Sequence, residues 1–364
     1  MNLTERIEYL VLFGELLSSL TQKLNDNISK ASNISSKTDK LAGKYFDLFK
    51  KKIEEAEIQN PWFTKKNILL RLISLSNSLS HKNLNNWINK YYSFSEKTKQ
   101  KKIAVIMAGN IPLVGFHDML CVLITGNIFV GKPSSKDIIL YELVSELLQA
   151  VNTEFKELMI IEKNKLNDFD AIIATGSNNA SRYFEYYFSK YPNIIRKNRT
   201  GIAVLSGNET MNDLQKLADD IFLYFGLGCR SVSKIYFPQN YDFNLFFKSI
   251  QSYKYIINHN KYANNYNYNK SILQMNNIQF FDNGFVILKN DNHIYSPISI
   301  INYEYYNNIK QIIKNISNQR ENIQCIVSNI KEITDKIDFG CSQYPELWNY
   351  SDNIDTIKFI KNIN

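Results

Sequence analysis

The stretch Lys102–Val151, "KIAVIMAGNIPLVGFHDMLCVLITGNIFVGKPSSKDIILYELVSELLQAV", decides the fold. "IAVIMA" is a short apolar run rich in β-branched residues and ends at Gly109, which predicts a buried strand. "FHDMLCVLITG" has apolar residues at helical spacing and stops at Gly126. "NIFVGK" predicts a second strand. Ser134 or Ser135 is then placed to cap the helix "KDIILYELVSELLQAV". Strands alternating with helices call for a parallel sheet in a doubly wound domain. Ligands bind such sheets beyond the carboxyl ends of the strands.

The alternation continues outward. "FDAIIATGS" predicts a third strand, and "NNASRYFEYYFSKY" a helix starting at its end. Three turns therefore belong at one edge: Gly109-Asn110, Lys132-Pro133-Ser134 and Thr175-Gly176-Ser177. A second alternation opens with the strand "RTGIAVLSG", the helix "MNDLQKLADDIFLYFG" and the strand "SVSKIYFP". "YDFNLFFKSIQSY" reads as helix, and "HNKYANNYNYNK" as a mobile loop because it is poor in apolar residues. "IQFFDNGFVILKN", "SPISIINYE" and "IQCIVSN" read as strands, with "YYNNIKQIIKNISNQ" as a helix between the last two. Residues 1–100 are helical in pattern, as in "IEYLVLFGELLSSL" and "ILLRLISLSNSLS", with polar Ser/Asn/Lys stretches between.

Composition narrows the class. The chain has 364 residues, more than one apolar core usually supports, which favours two domains. No apolar run reaches the ~20 residues of a membrane helix. "MNLTERIEYLVLFGELLSSL" carries acids within its apolar stretch and reads as an amphipathic helix, not a signal peptide. Cys121, Cys229, Cys325 and Cys341 form no CxxC pair, which argues against a disulfide framework or a zinc site and for a reducing cytoplasm. The net charge is +8, yet the basic residues are scattered, with short runs such as "KTKQKK". No dense basic stripe interleaves with aromatics, so a nucleic-acid partner is not expected.

Cys229 lies in "YFGLGCRSV", between Gly226 and Gly228 on one side and Arg230 on the other. Glycines allow backbone angles closed to other residues. Nearby backbone N–H groups and a cation favour thiolate. The competing reading is a buried small hydrophobe, which suits Cys121 in "DMLCVLI" and Cys325 in "IQCIV". The local pattern leaves both readings of Cys229 open.

"AGNIPLVGFHDMLCVLITGN", "GKPSSKD", "ATGSNNASRYFEYYF", "RTGIAVLSG" and "YFGLGCRSVSKIYFP" together resemble the luminescence-type (Lux) acyl-CoA reductases, a branch of the aldehyde dehydrogenase superfamily. The resemblance runs from about Lys102 to the C-terminus, where "YPELWNYSDNIDTIKFI" is also similar. It implies an aldehyde dehydrogenase-like α/β fold with two doubly wound, Rossmann-like parallel-sheet domains and a helical N-terminal region. The expected division is residues 1–100 as a helical region on the cofactor domain, 101–203 as the cofactor domain, 204–335 as the catalytic domain, and 336–364 returning to the cofactor domain or an oligomer interface.

By the same resemblance, Cys229 is the nucleophile and Asn110 an oxyanion donor. Ile111, Pro112, Lys132, Pro133, Ser134, Thr175, Gly176 and Ser177 line the nicotinamide cofactor. His293, in "HIYSP", stands where the superfamily glutamate contacts the nicotinamide ribose, and reads either as a cofactor contact or as a plain exposed histidine. No metal is implied. Val204, in "VLSG", stands where hydrolytic relatives carry a water-activating glutamate. Glu209 is expected in a solvated loop and His117 on a helix face. The implied activity is NADPH-dependent reduction of a fatty acyl-CoA to the aldehyde through an acyl-cysteine, with NADH as the alternative cofactor. The rivals are an acyl-phosphate or acyl-protein thioester reductase, and a catalytically idle acyl-binding subunit. A homo-oligomer, or a complex with an acyl-transfer partner, is implied as well.

Overall fold

The computed structural model describes residues 1–25, 36–91 and 99–363. The polar stretch separating the first two helices, and Lys97 and Thr98 of the basic run, lie outside them. The chain divides into two compact units: Met1–Lys197 with Glu346–Asn364, and Asn198–Pro345.

The first unit is built on a parallel sheet of β1 (Lys102–Ile106), β2 (Ile128–Lys132), β3 (Met159–Ile161), β4 (Ala171–Thr175) and β5 (Asn193–Arg196), in the order β3-β2-β1-β4-β5. β1 and β4 are neighbours whose connections run to opposite sides, so the switch point lies between them. The helices Leu3–Leu24, Ser36–Gln59, Lys65–Ser78 and His81–Ile88 precede the sheet. The first starts with Asn2 and Glu5 in a reciprocal capping box. Their apolar faces (Phe13, Leu17, Phe49, Trp87) share one core with Val105 and Leu147.

Two details differ from expectation. "FDAIIATGS" is the fourth strand, because "MII" forms the short edge strand β3 before it, and "NIIR" adds β5. Neither Ser134 nor Ser135 caps the helix Ile138–Val151; Asp137 is its N-cap residue and makes no side-chain cap bond. The Ser134 hydroxyl instead accepts from the Lys136 N–H at 3.3 Å.

The second unit carries β6 (Thr200–Val204), β7 (Val232–Pro238), β8 (Phe280–Asp282), β9 (Ile287–Asn290), β10 (Ile300–Tyr306), β11 (Ile323–Ser328) and β12 (Lys336–Ile337). Their order is β12-β11-β6-β7-β10-β9-β8, parallel except for the β8–β9 pair. β6 lies between β7 and β11, so residues from Asn198 onward belong to this unit. The stretch expected as a mobile loop is part of the helix Asn260–Met275, capped by His259. Tyr262, Tyr266 and Leu273 are its buried residues, and tyrosines supply the apolar face that an aliphatic count overlooks. The fold is therefore two parallel-sheet α/β units with a helical N-terminal region.

Candidate active site

In the first unit the three expected turns sit together at the carboxyl edge of the sheet. Lys132 ends β2 and Thr175 ends β4. Two bonds tie the β1 and β2 ends together: Met107 N–H to Lys132 O at 3.0 Å and Ser134 N–H to Met107 O at 3.1 Å. Gly109 is required by close approach, since a Cβ there would lie 2.6 Å from Ser134 Oγ. Ser177 caps the helix Asn178–Phe188, its hydroxyl accepting from Ala180 N–H at 3.2 Å. Gly176 lets β4 run directly against that helix, where a Cβ would meet Ala180 Cβ at 2.9 Å. The Lys132 ammonium donates to the Asn164 carbonyl.

Asn110, Ile111 and Pro112 form the turn after β1. Just beyond them Leu113 adopts φ 51°, an unfavourable angle for an L-residue. Two side chains hold it there: buried Asp137 accepts from Leu113 N–H through Oδ2 at 2.8 Å, and half-buried Arg71 donates from Nη2 to Leu113 O at 3.3 Å. The sequence reading missed both. A signal existed for Asp137, a carboxylate directly ahead of an apolar helix, but its partner is 24 residues away.

In the second unit Cys229 precedes its strand. The Ser231 N–H donates to Gly228 O at 3.0 Å, which closes a tight turn with Cys229 and Arg230 at its centre. The helix before it ends at Phe222, and Tyr224, Phe225 and Gly226 follow with φ of 54°, 58° and 73°. Cys229 is half-buried, Cys121 and Cys325 are buried, and Cys341 is exposed; all four are free thiols. Burial pushes the Cys121 thiol well above its ordinary range and Cys325 to about 12, which keeps both neutral. The strand-end rule that located the first unit's turns does not locate Cys229, which enters β7 from the opposite end.

His293 follows β9 with its side chain 78% exposed. Its N–H donates to Asp291 Oδ1 at 2.9 Å, and its Nδ1 lies 2.5 Å from the same oxygen. The next residue, Ile294, accepts from Ser233 Oγ at 2.7 Å, so this segment crosses to the start of β7, four residues beyond Cys229.

Val204 is fully buried in the apolar core with Ile202 and Ile326. One expectation changes. Glu209 is buried, not solvated, and its carboxylate accepts from Ser206 N–H and Oγ, both at 2.7 Å, and from Gly207 N–H at 3.0 Å. It organises the loop after β6. His117 packs between Trp87 and Tyr350, with Nε2 2.8 Å from Leu347 O.

The fold has known counterparts. The P. syringae indole-3-acetaldehyde dehydrogenase AldA, a mutant in complex with NAD+ and IAA, superposes with a TM-score of 0.62 at 11% identity, covering 92% of this chain and 74% of that one. The NAD-dependent benzaldehyde dehydrogenase from Corynebacterium glutamicum gives 0.58 at 12%, covering 90% and 78%. The fold is thus that of the aldehyde dehydrogenase superfamily. A family model described as acyl-CoA reductase (LuxC) matches residues 19–245, a span that includes Asn110, Lys132, Gly176 and Cys229. The chain belongs to the acyl-CoA reductase (LuxC) family, and so to the oxidoreductases. A comparison with curated proteins finds no match. Among the described residues no helix is long and apolar enough to cross a membrane.

Proposed function

We propose that this protein reduces a fatty acyl-CoA thioester to the aldehyde, with Cys229 as nucleophile and NADPH as reductant. The placement of Cys229 carries the reading. It is the half-buried cysteine, set in a tight turn, while burial neutralises Cys121 and Cys325. Cys341 is exposed, but its thiol is also pushed up, by burial first and then by Asp220.

The first unit's turns fit a dinucleotide. The capped N-terminus of Asn178–Phe188, with Gly176 in front of it, suits a pyrophosphate through its N–H groups and dipole. Lys132 and Ser134 would hold the adenosine ribose; an ammonium has three donors, so the bond to Asn164 leaves two. Ile111, Pro112, Pro133, Thr175, Ser177 and His293 are proposed as further cofactor contacts on the resemblance. When bound, the nicotinamide supplies the hydride that reduces the acyl carbon.

The chain's own residues do the rest. The Cys229 thiolate forms a bond to the thioester carbonyl carbon, and the bond to the coenzyme A sulfur breaks. That sulfur leaves as thiolate and takes a proton from solvent. Asn110 is proposed, on the resemblance, to donate to the oxyanion; one such donor contributes about 3 kcal/mol in comparable enzymes. After reduction, the bond from Cys229 to carbon breaks and the aldehyde leaves.

Purified protein is incubated with NADPH, and separately NADH, and a panel of acyl-CoAs. Cofactor oxidation is expected, with an acyl adduct on Cys229 by intact mass. Cys229→Ala abolishes both. Oxidation unchanged in that variant would exclude the mechanism, and turnover of an acyl phosphate but of no acyl-CoA would select the rival substrate.

A further inference from the structure

The Cys229 turn sits in strained chain. Tyr224 and Phe225 occupy left-handed backbone, which is unfavourable for an L-residue. Such a conformation persists only where its surroundings impose it. Much of what borders this turn comes from residues distant in sequence.

One side is covered by the segment 340–343. Asp220, fully buried near the end of the helix Met211–Phe222, accepts from Gly340 N–H at 2.6 Å and from Ser342 N–H at 2.9 Å. Both carboxylate oxygens are thereby used on backbone about 120 residues away. Desolvating a carboxylate is costly, and these bonds offset that cost only with the segment in place. The segment delivers Gln343, itself 5% exposed. Its Nε2 donates to Ser231 Oγ at 3.2 Å and to Ser342 Oγ at 3.4 Å. A Cβ on Gly228 would lie 3.3 Å from Gln343 Oε1. The Gln343 amide therefore touches both ends of the turn that carries Cys229. The opposite side is held by the sheet: Gly201 N–H and Thr200 Oγ1 donate to Ser231 O at 3.0 and 3.2 Å, and Cys325 Sγ donates to Arg230 O at 3.6 Å.

We propose that Asp220 and Gln343 are positioning residues for the nucleophile: Asp220 docks the 340–343 segment, and Gln343 braces Gly228 and Ser231 so that the Cys229 thiol is held in its reactive orientation. The proposal rests on Cys229 being the nucleophile. Neither residue touches the reacting atoms. Both act by fixing the turn.

The test uses the full chain with Asp220→Asn, which leaves one acceptor oxygen for two N–H groups, and Gln343→Ala. Modification of Cys229 by iodoacetamide is followed by peptide mass, separately from that of Cys341. Turnover is measured with an acyl-CoA. The expectation is a Cys229 rate about tenfold lower in each variant, with kcat reduced and KM unchanged. Cys229 rates within about twofold of the parent in the folded variants overturn the proposal. If Asp220→Asn does not fold, Gln343→Ala decides alone. Failure of the nucleophile reading shows separately, as turnover surviving in Cys229→Ala, and the iodoacetamide comparison still reports on the turn.

Discussion

At the residue scale, burial separates groups that look alike in the sequence. Asp219 and Asp220 are adjacent, yet Tyr253 donates to Asp219 at 2.5 Å while Asp220 is enclosed by the 340–342 backbone. Burial raises the Asp220 carboxyl from 3.8 to about 6, against the pull of its N–H donors. The folded state thus favours its protonated form. The stability it contributes is fully present below about pH 3.8 and is lost as pH rises through about 6. Thermal melting followed across that window should fall more steeply for the parent than for Asp220→Asn, and identical slopes would count against this assignment. Glu209 makes the same point: a charged side chain in a polar sequence reads as solvated, and only the folded loop supplies the three donors that allow its burial.

At the element scale, periodicity located most strands and helices, and it failed where elements were short or their apolar face was aromatic. β3 and β5 have three and four residues, too few for a period to register. The helix Asn260–Met275 was obscured because tyrosine supplies part of its buried face. The glycines before Cys229 were legible, but they act differently. Gly226 has φ 73°, and a Cβ there would approach Ile221 O to 3.1 Å, whereas at Gly228 a Cβ would lie 3.2 Å from Ser231 Oγ and 3.3 Å from Gln343 Oε1, a matter of tight packing and not of backbone angle. Gly226→Ala should cost about 1–2 kcal/mol in urea denaturation. An unchanged midpoint would show that the left-handed turn is not required.

At the scale of the whole molecule, each unit is tied by contacts that no local pattern announces. In the first, Arg196 at the end of β5 pairs in the buried interior with Asp118, Nη2 donating to Oδ1 at 2.9 Å and to Thr356 Oγ1 at 3.1 Å. This joins the edge strand, the helix Phe116–Ile124 and the returning C-terminal helix Thr356–Lys361. Arg196→Ala strands a buried carboxylate and should destabilise the protein by about 3–5 kcal/mol by denaturant titration. A loss below about 1 kcal/mol would mean that Asp118 finds another partner or takes a proton. By itself the sequence determined the alternation of strands and helices, the three turns at the first sheet's carboxyl edge, and the glycine-flanked cysteine. These are local matters of apolar period, turn residues and backbone freedom. Tertiary structure alone decided that Val204 is core, that Glu209 is buried, and that Asp220 and Gln343 border the Cys229 turn. Those depend on which distant segments pack together, and a buried polar group is explained only by the partner that satisfies it.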